Sequence, residues 1–319
     1  MLAAAEELKN TDGQAAQRMK QMEDFPYQRH ARGILKQNEP MSQHTSWRAG
    51  GNALHYFEPV DLEDLSCYLA ALPVAEPVLW VGLGSNLLVR DGGFQGTIIA
   101  ISQILNNLEI EYSGLVKVEA GVSCGKVAKM TARAGLSGAE FLAGIPGTMG
   151  GALAMNAGAH GSETWNIVTS VMTLSRSGNL ACRTRSDFRI GYRRVGIHDN
   201  EWFISAILQL QNDPEHKGEQ RIREFLERRS ATQPVRQHNC GSVFRNPPGD
   251  YAARLIDACD LKGARSGNAC VSEKHANFII NLGGATAGEI EHLIQHIQET
   301  VYQKFSVALE PEVRIVGIE

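Results

Sequence analysis

The chain lacks the signatures of several common protein classes. Its six cysteines, Cys67, Cys124, Cys182, Cys240, Cys259 and Cys270, include no C-x-x-C pair. That scatter argues against a disulfide frame or zinc site and for reduced thiols in a cytoplasmic protein. The ten histidines are dispersed, without the spacing of metal ligands, so no metal is expected. Charge of neither sign dominates: the formal net charge is −4, and the broad basic field that nucleic acid requires is missing. No apolar run approaches the ~20 residues of a membrane span, and no secretory-signal pattern opens the sequence. Also absent are the dinucleotide fingerprint G-x-G-x-x-G and the P-loop, so neither accounts for the glycines that are present. What remains is a chain of 319 residues, the size of an enzyme with two or three domains.

Glycine is concentrated in one run, Phe141–Gly161, read FLAGIPGTMGGALAMNAGAHG. Such a run loses much backbone entropy on folding. Keeping it implies either a ligand with phosphates or a flat ring at close approach, or a turn in a tightly packed core. A second glycine turn, Gly82-Leu83-Gly84-Ser85-Asn86, follows the apolar segment Val78–Val81 directly. Strand, glycine turn and small hydrogen-bonding residues in that order gather backbone amides into an anion-binding concavity.

Taken in order, residues 1–27 read as a polar amino-terminal appendage. In Thr45–Gly51, a double glycine soon after Arg48 marks a turn where the arginine either meets an anion or faces solvent. Asp61–Leu72 has helical apolar spacing and an acidic first turn. Thr97–Ile101, Val116–Ala120, Asn166–Leu174 and Trp202–Leu210 read as strands, and Ser123–Ala134 as a serine-capped helix. The polar stretch Gln211–Gly218 is the best domain boundary. Beyond it come a charged helix over Glu219–Arg229, a long helix with an apolar stripe from Ile290 to Phe305, and a closing strand Val307–Val316. The layout is α+β: 1–27 appendage, 28–212 larger domain, 213–319 smaller domain.

Three clusters carry chemistry-bearing residues. Phe188–Arg194 holds Tyr192, Arg193 and Arg194, either a solvated edge or cations poised over an anionic substrate. Asn239–Asp250 holds Ser242, without the G-x-S-x-G elbow of acyl-enzyme chemistry, and Cys240, a second possible nucleophile. In Leu309–Gly317, strand alternation would place Glu310, Glu312 and Arg314 on one face, with the glutamates shifting each other's pKa.

Together, TSWRAGGNA, GLGSNLLVRDGG, AGIPGTMGGALAMNAGAHG, GYRR, CGSVFRNPPGD, VSEKHANFIIN and LEPEVRIVG resemble, in order, the UDP-N-acetylenolpyruvoylglucosamine reductase (MurB) family. The likeness runs from about Gly33 to Gly317. It implies a FAD-binding fold of the vanillyl-alcohol-oxidase (PCMH) type, followed by a smaller α+β substrate-binding domain. It further implies non-covalent FAD, reduction by NADPH, and conversion of UDP-N-acetylglucosamine enolpyruvate to UDP-N-acetylmuramate in peptidoglycan precursor synthesis. Gly82, Leu83, Gly84, Ser85, Asn86, Gly144, Ile145, Pro146, Gly147, Gly150, Gly151 and Asn156 would contact FAD. Hydride would pass from flavin N5 to the enolpyruvyl group and a proton from Ser242, while Arg193 and Glu312 stabilise the enolate-like species. Tyr192 and Asn246 are carried over as substrate contacts. The segment Gly161–Asn166 has no room for an inserted tyrosine loop, which matches the shorter family subtype, and Cys270 stands where glutamine is expected. A cytoplasmic monomer is expected. Two other readings stay open: an oxidase with FAD tethered covalently to His160, and a nucleotide-binding module without redox chemistry.

Overall fold

Local chemistry sets the element ends in this computed structural model, which describes residues 31–111 and 113–319. The appendage expected over 1–27 lies outside the described residues. The first expected helix runs Leu62–Ala71, with the Asp61 side chain accepting from Asp64 N–H. That cap and the acidic first turn answer amides that would otherwise be orphaned. The second runs Cys124–Arg133, and Ser123 caps it by accepting from Lys126 N–H. Each expected strand of the first domain is present: Val78–Val81, Phe94–Ala100, Leu115–Glu119, Val168–Ser175 and Glu201–Gln209.

These strands make two sheets. One has the order Ile34–Pro40, Asn52–Glu58, Phe94–Ala100, Val78–Val81, its last two pairings parallel. The other is antiparallel, ordered Leu180–Thr184, Val168–Ser175, Glu201–Gln209, Leu115–Glu119, Leu108–Ile110. The main core fills the space between the second sheet and the helices Cys124–Arg133 and Met149–Met155. Met149–Met155 lies inside the glycine run, so the run is a short helix flanked by turns. Farther along the chain, the strands Arg265–Ser266, Ala269–Val271 and Ile279–Asn281 share a second core with the helix Ala287–Phe305.

Two expectations are revised. The charged helix is present as Gly218–Thr232, but Ile222 is buried in the first domain's core. Arg221 binds Glu140 and Asp213, both at 2.7 Å. The closing strand is confined to Arg314–Val316. Before it the chain bends, and Pro311, which has no N–H to give a ladder, forms only an isolated bridge with Phe244.

The two parts interlock. Arg314–Val316 pairs in parallel with Leu87–Val89 of the first part. Trp47, fully buried, sits in the second core and donates from Nε1 to Ile279 O at 2.8 Å. Asn281 Nδ2 donates back to Trp47 O at 2.8 Å. Arg48 is exposed beside this junction, at a left-handed φ of 52°. The segment around that arginine joins the two parts.

Candidate active site

The chain returns to the first part at a cavity of about 990 Å³. One wall is backbone. Leu83, Gly84, Ser85 and Asn86 line it, and among the described residues their amides make no hydrogen bond. Gly84 has φ +58°, and a Cβ there would stand 1.9 Å from His44 O. Only glycine fits this turn. Gly144, Ile145, Pro146, Gly147 and Gly151 continue the wall. A Cβ on Gly151 would find no atom nearer than 3.9 Å, so that glycine leaves space for a ligand. Gly82 also lines the cavity, yet a Cβ there would meet Thr148 Oγ1 at 2.4 Å. Packing therefore accounts for Gly82, whereas Gly151 faces open space.

Another stretch of the lining is made of side chains. Ser242, Arg245, Glu312 and Arg314 belong to it, and Arg193 and Arg194 reach it from the first part. Among the described residues, six arginines (193, 194, 228, 229, 245, 314) line the cavity against one carboxylate, Glu312. Such a field suits a ligand carrying several phosphates.

Each of the three central side chains is held by its neighbours. Arg193 sits at the tip of the hairpin Arg189–Gly191/Arg194–Gly196, with φ 53°, an uncommon conformation for arginine that requires support. Its Nη2 donates to Gly158 O at 2.6 Å and Nη1 to Asn156 O at 3.4 Å. Its Nε lies 3.2 Å from Glu312 Oε1 as an ion pair, without the alignment of a hydrogen bond. Ser242 follows Gly241, whose amide donates to Asn239 Oδ1 at 2.9 Å. Beyond the serine, Val243 N–H donates to Asn277 O, and the Asn277 side chain pairs with both backbone groups of Phe244. Glu312 N–H donates to Val243 O at 2.7 Å, which ties the glutamate to the serine segment. Asn86 Nδ2 donates to Glu312 O at 3.0 Å, so the backbone wall also grips the glutamate.

Burial is the largest influence on Glu312 and pushes its carboxyl up, while Arg193 and Arg245 pull it down. Glu310 plays no part in this. Its side chain is 76% exposed and pairs with Arg245, because the bend at Pro311 breaks the alternation that would have made the glutamates neighbours. Burial pushes the Cys240 thiol up to about 12, which leaves it protonated and unsuited to nucleophilic attack.

Four expected site residues stand off the cavity lining. Gly150 packs on Ala120, where a Cβ would come within 3.0 Å. Asn156 is buried in a left-handed cap, holding Glu163 and Gly191 O through Nδ2 and accepting from Trp165 N–H. Tyr192 is 48% exposed, with the Arg193 guanidinium over its ring. Asn246 caps the helix Ala252–Ala258 by accepting from Ala252 N–H at 3.1 Å. Cys270 is buried in its strand and is likewise absent from the lining. His160 does line the cavity, stacked on Phe225 at 4.0 Å. Asn277 is a functional residue that the sequence reading misses. It lies within VSEKHANFIIN, where an asparagine between apolar residues is the signal of a buried backbone clamp.

Open amides, the space beside Gly151 and a strongly cationic cavity fit a diphosphate-bridged flavin dinucleotide, the cofactor of a flavoprotein oxidoreductase. Family models agree: "FAD binding domain" matches residues 53–181, and "UDP-N-acetylenolpyruvoylglucosamine reductase, C-terminal domain" matches 233–316. The UDP-N-acetylenolpyruvoylglucosamine reductase of Legionella pneumophila (strain Corby) is 50% identical over 295 residues, 92% of this chain and 96% of that one. That of Methylococcus capsulatus is 52% identical over 287 residues, 90% of this chain and 94% of its own. The crystal structure of the Thermus caldophilus enzyme (MurB) aligns with a TM-score of 0.75 at 31% identity, covering 89% of this chain and 98% of that one. The chain belongs to the UDP-N-acetylenolpyruvoylglucosamine reductase family.

Proposed function

We propose that this chain reduces UDP-N-acetylglucosamine enolpyruvate to UDP-N-acetylmuramate, with NADPH as reductant and FAD bound non-covalently. The observation that carries the proposal is the meeting of Arg193, Ser242 and Glu312, from three distant segments, in one cavity with the open amides of Leu83–Asn86. FAD bound there supplies a two-electron carrier between the reductant and the enolpyruvyl double bond. Leu83–Asn86 and Gly144–Gly147 hold and orient it.

The remaining work falls to side chains. As hydride adds to the terminal carbon of the enolpyruvyl group, negative charge moves onto its carboxylate. Arg193 stabilises that charge. Glu312 would repel it if ionised; burial shifts its carboxyl toward the protonated form, against the pull of Arg193 and Arg245, and only in that form does it donate a hydrogen bond to the substrate. Ser242 delivers a proton to the carbon bearing the ether oxygen. A hydroxyl is a weak acid, so this step needs a strongly basic carbon and a fixed line of approach. Asn277 and Gly241 supply that fixation.

We further infer a monomeric, cytoplasmic protein of the subtype without a tyrosine loop, all six of its cysteines being free. The division drawn at 212/213 belongs near residue 233, because the helix Gly218–Thr232 shares the first core. Consumption of NADPH with and without the enolpyruvyl sugar nucleotide tests the reading. Substrate-dependent consumption is expected; equal consumption in both, or colour retained on the denatured chain, refutes it.

A further inference from the structure

Arg245 is the cavity arginine whose arrangement most resembles that of Arg193. It lies three residues beyond Ser242 and lines the cavity. Its outer edge is occupied: the backbone N–H donates to Glu310 O at 2.9 Å, and Nη1 reaches the Glu310 carboxylate at 3.2 Å. Because that carboxylate is 76% exposed, the pair is of the surface kind that fixes little. Its inner edge differs. Nε is buried and makes no hydrogen bond. Arg193 repeats the pattern, its two terminal nitrogens spent on carbonyls and its Nε buried without an aligned acceptor. Cationic N–H donors are costly to bury unanswered. Arg193 Nε is answered by the Glu312 carboxylate, 3.2 Å away as an ion pair, whereas among the described residues the Arg245 side chain hydrogen-bonds only the exposed Glu310 while lining the same cavity.

Resting on the reaction proposed above, we propose that Arg245 is a second catalytic arginine, receiving the enolpyruvyl carboxylate jointly with Arg193 through their guanidinium groups, which line one cavity. Hydride forms the new C–H bond at the terminal carbon, and the C=C electron pair moves onto the carboxylate held by both guanidinium groups. The pair then returns to take a proton from Ser242 at the ether-bearing carbon, and the serine regains its proton from water. Two cations stabilise the extra charge where one would leave it half answered.

Arg245→Gln and Arg245→Lys holoenzymes, followed by flavin absorbance under anaerobic stopped flow, test this. Flavin reduction by NADPH is expected within about twofold of the parent in both. Reoxidation by the enolpyruvyl sugar nucleotide at saturation is expected to fall about 10²-fold in Arg245→Gln, with Lys recovering part of the loss. Glu310→Gln, which removes only the exposed partner, is expected to stay within about twofold in both half-reactions. Reoxidation by Arg245→Gln at the parental rate would overturn the proposal. So would an equal loss of both half-reactions together with flavin content, which would make Arg245 structural. A parent holoenzyme that its substrate cannot reoxidise would instead defeat the proposed function, whatever Arg245 does.

Discussion

The two walls of the cavity are built from different materials. The first offers backbone: open amides at Leu83–Asn86 and glycines along Gly144–Gly151. The second offers side chains, and each is fixed by backbone bonds from a neighbouring segment. On the proposed function, backbone recognises what every turnover shares, the phosphates of a cofactor that stays bound, and side chains act on what changes, the charge and proton of a substrate that comes and goes. The difference teaches that the first wall should control flavin occupancy and the second should control chemistry.

The sharpest test is Ser242→Ala. Flavin reduction by NADPH should stay close to parental, while reoxidation by the enolpyruvyl substrate falls roughly 10²–10⁴-fold. Loss of both half-reactions together would remove the distinction between the walls and the proton-donor role with it.

Next in size is the joint. Trp47→Ala should cost about 3–5 kcal/mol in chemical denaturation, since the side chain is fully buried and its Nε1–H is spent on Ile279 O. Both half-reactions should suffer, because the serine wall would no longer be docked on the flavin wall. A variant of parental stability would show that the other contacts across the joint, among them the pairing of Arg314–Val316 with Leu87–Val89, hold it without the indole.

Much of this is legible in the residues, for identifiable reasons. Helices with apolar stripes and polar caps announce themselves, as at Asp61 and Ser123, because caps and spacing are local. The three catalytic candidates come from the family resemblance that the ordered motifs carry, and the cavity brings them together. What cannot be read is long-range. Trp47 looks like part of a turn because its partner lies 232 residues away. The glutamate pair fails at Pro311, where a missing N–H ends the strand on which their alternation depends. Asn156 and Gly150, embedded in a ligand-facing run, turn inward to structural duties that adjacent residues do not share.

A smaller effect divides the first wall internally. Gly151 lies in the helix Met149–Met155, and the nearest atom to a Cβ placed there would be Thr148 Oγ1 at 3.9 Å. Gly151→Ala should stabilise the flavin-free chain by roughly 0.5–1 kcal/mol, the helix-propensity gain. The same methyl enters the cavity, so flavin affinity should fall. Thermal melts of apoprotein and a flavin titration check both signs; a variant that gains stability yet binds FAD as tightly would take Gly151 off the cofactor wall.

The smallest effect concerns the charge on the second wall. In the folded chain, burial holds the Glu312 carboxyl above its ordinary value of 4.5. The folded state therefore binds this proton more tightly than the unfolded one. Its contribution to stability is complete below about pH 4.5 and is lost as pH rises through the elevated folded value. Glu312→Gln cannot titrate, so the stability of the variant minus that of the parent should climb across that window and then level off, with other groups cancelling. Denaturation series at several pH values measure the difference. A flat or falling curve would mean that Arg193 and Arg245 outweigh burial. Glu312 would then be ionised beside the substrate carboxylate, and the second wall would hold its substrate against repulsion rather than with a shared proton.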